Sequence, residues 1–571
     1  MKPKFYVGLV DSVTEQKALS TGSLDALNGK IKAIFCDWFS QACAVNSKSR
    51  TTHNVAFNNL AIEIVVLTAK SNFSSCPILQ SLESLGITIE KVPCSVATCG
   101  AGSVADFLAA KSSLILVIGD HVFEQAEYYK QLSLANVDDI PDKLAELIQT
   151  NNISTNIFNA VLAPELTADQ HQDYYFNSNE FLPFLFQIDT QSISGDNQES
   201  LVTGFVRENE QTAFNNFLVN FCGVCDELTK ASPNYLNDKL KQKLKESEHA
   251  PAESVSLAQF YHATAKFDAM ASEHQARSNV SFWILFGLTL VLGASFLLYA
   301  KVFTDSPWLL ILYLIAYTFG MVCFHRVKKK AALEKHLAYR LCSETMRLKL
   351  FQLVASDKDK VAAFQFERAI SMASVKSDWI AHMIRAFPLH QLKDIDSLQD
   401  KKEIINEFLI DDQMNYFKLK LYGKKPKKII NTHKPKLSGI EKVLHSVATF
   451  QIFIVAISIF LMVTVALTAY KVGFFESIYG LKSVMMFLVG FLPLVALAFE
   501  QLVFNFALEE NEMRYHHQIS RFNSIKRWLQ TANTKKQVED VTEQLCVECA
   551  QEGFNWYTTR INRQHKPASG G

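Results

Sequence analysis

The chain has no excess of either charge. Its 571 residues carry 57 basic and 57 acidic side chains, so nothing global favours a polyanion and no nucleic-acid partner is expected. The opening stretch, MKPKFYVGLVDSVTEQ, is basic but has too short an apolar run for a signal peptide, which predicts that the first half stays in the cytosol. The 11 cysteines are scattered without a dense framework, as in a reducing compartment. Two CxxC pairs, Cys222/Cys225 and Cys546/Cys549, have enough thiols for a zinc ion. Both lie in helix-like text without the turn chemistry of a zinc knuckle, so no metal is expected. No GxGxxG or GxxxxGK[ST] spacing occurs, and CGAGS (99–103) reads as a turn. With no Ser-His-Asp order and no metal-ligand spacing there is no catalytic constellation, so no catalytic residue is assigned.

What the chain does have is apolar length. Phe alone accounts for 42 residues, and four runs are long enough to span a bilayer: 281–300, 308–324, 449–470 and 483–499. At about 1.5 Å per helical residue, about 20 residues cross a hydrocarbon core of about 30 Å. The runs fall into two pairs joined by short loops, KVFTDSP and KVGFFESIYGLK. The basic stretches HRVKKK, after the second run, and KLKLYGKKPKKIINTHKPK, before the third, belong on the cytoplasmic side. The expected protein is therefore multi-pass, with its soluble parts and both termini cytoplasmic and the lipid bilayer as its first partner. Within the spans, Ser458, Thr464 and Thr468 are candidate lining residues, although they do not form one clean helical face. Glu500 ends the fourth run; an interfacial position is preferred, and an acid lining a water-filled path is the alternative.

Residues 1–150 alternate short β-rich runs (5–10, 62–69, 87–94, 112–120) with helical text (22–43, 76–85). That alternation predicts a buried parallel sheet covered by helices, a Rossmann-like head. Ligands of such sheets sit beyond the carboxyl ends of the strands. The candidate binding residues are Asp11 and Ser12 after the first strand, Thr68, Asn72 and Ser74 after the second, and Gly119, Asp120 and His121 after the fourth. Small hydroxyls and amides near helix starts suit a phosphate, and Asp120 suits a ribose hydroxyl. The same residue types also cap helices without binding anything.

Beyond a head extension (151–254), which suggests one strand followed by a helix, helical text runs uninterrupted through 255–283 into the first span. Leu337, Leu341, Glu344, Leu348 and Phe351 form a second helical stripe, in which Glu344 has Arg340 and Arg347 within pairing distance along the helix. The segments are then a head (1–150), its extension (151–254), a neck and first hairpin (255–325), a helical insert (326–447), a second hairpin (448–503) and a helical tail (504–571). The fold class is α/β joined to all-α membrane structure.

The segments KFDAMASEHQARSNVSFWILFGL, HRVKKKAALEKHLAYRLCSETMRLKL, SDWIAHMIRAF, DDQMNYFK and FNWYTTRINRQHKPA, in that order, resemble bacterial SLATT-type membrane proteins with a SLOG-like head. The matching positions include Tyr339, Arg340, Glu344 and Arg347 as a candidate coupling helix, Trp379, and the pair Gln413 and Tyr416. In the head the pattern departs, reading VGLVDS, TAKSNFSS and IGDH at the ligand loops, and the PGGxGTxxE signature of the nucleotide-cleaving relatives is absent. The resemblance implies an oligomeric sensor–effector of a bacterial inner membrane. Its head would detect a nucleotide second messenger or a protein partner, and its helices would permeabilise or depolarise the membrane in antiviral defence. A membrane-anchored nucleotide-processing enzyme and a regulated ion channel are the alternatives. No cofactor beyond a nucleotide-derived ligand is implied.

Overall fold

A computed structural model describes residues 3–11, 21–46, 62–68, 77–91, 112–119, 184–189, 203–205, 210–233, 240, 257–355, 378–387, 397–422, 439–469 and 482–562. The strands are β1 (Lys4–Asp11), β2 (Glu63–Thr68), β3 (Thr88–Lys91), β4 (Leu114–Gly119), β5 (Phe184–Asp189) and β6 (Thr203–Phe205). Helices α1 (Thr21–Asn46), α2 (Pro77–Glu83) and α3 (Glu210–Lys230) accompany them. There follow α4 (Leu257–Lys301), α5 (Pro307–Lys330), α6 (Ala332–Ala355), α7 (Asp378–Arg385) and α8 (Leu398–Ile404). A π-helical segment (Ile405–Asp411) leads into α9 (Asp412–Tyr422), and α10 (Gly439–Ala469), α11 (Lys482–Phe506), α12 (Leu508–Thr531) and α13 (Lys535–Asn562) complete the order. Contacts divide the chain into two compact units built from interleaved stretches. One gathers Met1–Ala269, Leu341–Asp396 and Thr542–Asn555, the other Met270–Arg340, Ser397–Val541 and Trp556–Gly571.

The first unit is organised around a six-stranded sheet in the order β3-β2-β1-β4-β5-β6. β1 to β5 are mutually parallel, and only β6 runs antiparallel, against β5. Its central strands are apolar along their length, with Phe5, Tyr6, Val7, Ile64 to Leu67 and Leu114 to Leu116 buried, as a sheet covered on both faces requires. An aromatic cluster joins the sheet to α1 and α3. Phe5 lies 5.7 Å from both Phe39 and Phe221, and Trp38 lies 4.9 Å from Phe186 and 5.2 Å from Phe214. Such edge-to-face packing adds about 0.5–1.5 kcal/mol per pair beyond area burial.

The amino-terminal edge of this sheet is closed by chain from far along the sequence. The Lys4 amide donates to the carbonyl of Ala386 (2.8 Å), just past α7, and Arg385 donates to the carbonyl of Ser112 (3.0 Å) at the entrance to β4. Lys349 of α6 donates to the carbonyl of Ile384 (3.3 Å).

α4, α5, α10 and α11 are long and apolar enough to cross a membrane, and their apolar runs lie in the second unit. α4 and α5 turn back on each other through five residues and Pro307, whose fixed φ suits the first helical position. Phe296 packs 5.9 Å from Tyr313, and a Cβ at Gly320 would lie 4.0 Å from Leu288, so the two helices run antiparallel. α4 is likewise antiparallel to α11: Phe282 meets Phe506 (5.0 Å), Phe286 meets Phe499 (6.1 Å), and Leu297 lies 3.1 Å from where a Gly490 Cβ would stand. Gly293 is in closer contact still, since a Cβ there would overlap Leu494. α10 packs along α11, with Phe450 5.3 Å from Phe499. The lateral order is thus α5-α4-α11-α10.

Two breaks recur in this unit. Ala331 (φ 46) separates α5 from α6, and Ala507 (φ 48) separates α11 from α12. Both are left-handed alanines, yet the backbone stays bonded across each: Lys335 donates to Ala331 and Asn511 to Ala507, while the Asn511 side chain also caps the carbonyl of Phe506.

Candidate functional site

Because β1, β2, β4 and β5 are parallel and in register, their carboxyl ends share one edge. Leu9 faces Thr68, Asp11 faces Ile118, and Gly119 faces Asp189. The strand order turns in opposite directions on either side of β1, which makes the β1–β4 boundary the crevice where a parallel sheet takes a ligand. Asp11 and Gly119 end the two strands that flank it. Thr68 ends β2 and is only 1% exposed. Ser12, Asn72, Ser74, Asp120 and His121 lie outside the described residues.

Asp189 was missed by sequence reasoning. It ends β5, and β5 itself was not foreseen, because FLFQID sits in a stretch whose surroundings lack helical or alternating texture. The signal available was Phe184, Phe186 and Ile188 at a period of two. Two acidic residues therefore end strands on either side of Gly119.

The coupling candidates are dispersed. Tyr339 is buried and lies edge-on to His274 at 5.4 Å. The Arg340 guanidinium sits 5.5 Å above the Tyr416 ring, uniting two positions of the family resemblance through a cation–π contact. Glu344 and Arg347 are half-buried. Gly553 of α13 lets the backbone come close to α6 here, since a Cβ would stand 3.2 Å from Leu341 and 3.9 Å from the Glu344 Oε2. Trp379 is buried, and its helix α7 docks the sheet edge described above.

Among the span candidates, Ser458 is 8% exposed and its Oγ has no hydrogen-bond partner among the described residues. Thr464 is buried and donates to the carbonyl of Phe460 at 2.8 Å. The Thr468 side chain lies outside the described residues. Glu500 is exposed, and α11 continues for six residues beyond it, to Phe506.

The four cysteines of the two CxxC pairs are free thiols, with Cys549 half-buried. Cys222, Cys225 and Cys546 are buried, and the Cys546 thiol points to the Leu348 carbonyl at 3.5 Å. Burial pushes the thiols of Cys225 and Cys546 well above their ordinary range, which keeps both protonated. Among the described residues no group of three or more His, Cys, Asp or Glu is placed to hold a metal ion. No protein-family model, curated protein or solved structure matches the chain.

Proposed function

We propose that this protein is a ligand-gated membrane effector: a Rossmann-like, SLOG-like head senses a nucleotide-derived ligand, and SLATT-type helices permeabilise or depolarise a bacterial inner membrane as an antiviral output. The observation that carries the reading is the convergence of parallel strand ends at Asp11, Gly119 and Asp189, on a chain that also has four apolar helices of membrane-spanning length. A sheet with the order 3-2-1-4-5 offers a nucleotide phosphate its switch-point crevice, and an effector needs both a binding crevice and a membrane part. The Arg340–Tyr416 contact brings together two of the positions that the resemblance names.

The test is reconstitution of the full chain into liposomes containing a potential-sensitive dye, followed by a panel of cyclic and linear nucleotides. One nucleotide should trigger depolarisation, and Asp11→Ala should weaken its potency by tenfold or more, that is about 1.4 kcal/mol or more. A leak that ignores every nucleotide and persists in Asp11→Ala would remove ligand gating through this edge. Nucleotide turnover without any leak would turn the reading to an enzyme.

A further inference from the structure

α11 is covered along part of its surface and open along the rest. Gly490, Leu494 and Phe499 pack on α4 and α10. Pro493, Leu497, Glu500 and Phe504 are exposed and recur at steps of four, three and four, forming a stripe beside the Gly490 and Leu494 contacts, and Gln501 at its margin is exposed as well.

The depth of this stripe follows from the helix pairing. Phe499 lies against Phe286, and α4 becomes continuously apolar from Phe282 onward. Glu500 is therefore level with a position about one helical turn, or about 6 Å, inside the apolar band. Exposed Trp283 marks the near boundary of that band and Trp308 the far one, as interfacial aromatics do. Glu500 has no hydrogen bond or ion pair among the described residues. Seven residues away on the same stripe, Pro493 has no N–H to give the carbonyl of Val489. A carboxylate and a freed carbonyl on one stripe are poorly suited to lipid and well suited to water. Among the described residues the lateral order α5-α4-α11-α10 places no further helix of membrane-spanning length over this stripe, which leaves it open to other copies of the chain.

Resting on the effector reading above, we propose that Glu500 is the cation-selecting carboxylate of a water-filled path, lined by the α11 stripes of several copies of this chain. Repeated around the path, the carboxylates make a ring of negative charge that favours monovalent cations and excludes anions. Leu497 and Phe504 form its apolar walls on either side of the ring, and the turn at Pro493 supplies carbonyl oxygens farther in.

The experiment measures reversal potentials of the full-length protein in planar bilayers under a KCl gradient, with the panel of cyclic and linear nucleotides added in turn on the head side. The wild type should reverse near the potassium equilibrium potential. Glu500→Gln should lower the potassium-to-chloride permeability ratio about tenfold, Glu500→Lys should move the reversal to the chloride side, and Glu500→Asp should keep the wild-type value. Current with a reversal potential unmoved by Gln and Lys overturns this assignment and leaves the effector reading standing. A wild type that passes no current removes both.

Discussion

His382 shows how much one side chain in this protein depends on its surroundings. It stacks 5.6 Å from Phe184 and 4.4 Å from Phe217. The residue as a whole is only partly buried, but its Nδ1 is closed off and has no hydrogen-bond partner among the described residues. Burial first, and the charge of Arg385 second, hold its pKa down at about 3. An unfolded imidazole titrates near ~6.5, so between those values the folded chain binds fewer protons than the unfolded one. Stability from this group is therefore complete above about pH 6.5 and declines as the pH falls toward 3, with a ceiling of about 1.4 kcal/mol per pH unit. The partial exposure of the residue keeps the effect below that ceiling. Melting curves recorded from pH 7 to 4.5 should show a falling midpoint, and His382→Phe should flatten the fall while keeping the stack. An unchanged slope in that variant would assign the acid sensitivity to other groups. Nothing in SDWIAHMIRAF announces this environment: a histidine in a short amphipathic helix reads as surface until Phe184 and Phe217 arrive from elsewhere in the chain. Asp11 and Gly119 were legible because they end strongly apolar strands, whereas Asp189 was not, because its strand was not.

Helices in this molecule meet through small residues where they are apolar on all sides. Gly293 admits Leu494, and Gly490 admits Leu297, because membrane helices associate by close packing and not by expelling water. Gly293→Val should destabilise the α4–α11 pair by about 1–3 kcal/mol through overpacking, and Leu494→Ala should recover much of the loss in the double variant. Thermal aggregation in detergent measures both; two penalties that simply add would mean the residues are not in contact. The breaks at Ala331 and Ala507 carry a different cost. An alanine held at positive φ pays about 1–2 kcal/mol that glycine does not. Ala331→Gly and Ala507→Gly should each raise thermal stability by roughly 1 kcal/mol, and a drop in stability would show the breaks are not left-handed in solution. The spans themselves were readable from the sequence, since twenty apolar residues admit few other structures. The breaks were not: neither alanine is a turn residue, and each sits inside uninterrupted helical text. The same holds for the π-helical segment Ile405–Asp411, in which Ile405, Phe408, Leu409 and Ile410 are buried and Asp411 pairs with Lys526 at 2.6 Å.

At the scale of the whole molecule, the unit that contains the sheet is not a contiguous stretch of chain. Phe260 packs on Phe387 at 6.1 Å, the β1 entrance is bonded by Ala386, and Leu348 receives the Cys546 thiol. A fragment ending at residue 254 would lack Phe260, α6, α7 and α13, and with α7 the His382 ring that packs on Phe217. Expressed alone it should aggregate or melt far below the intact protein, and supplying 341–396 as a separate chain should improve its solubility. A fragment that is soluble, cooperative and as stable as the full chain would show that these segments are dispensable to it. Sequence patterning made the parallel sheet and the four spans visible because both depend on local periodicity. The interleaving was not visible, since contacts such as Lys4 with Ala386 leave no mark in either local segment. They do set a timetable. A chain made from its amino terminus presents β1 first, but the partner of Lys4 emerges only after both helices of the first hairpin have been synthesised, and Cys546 only after the second pair. The sheet-bearing unit is thus completed only after all four apolar helices have been synthesised, so its folding waits on nearly the whole chain.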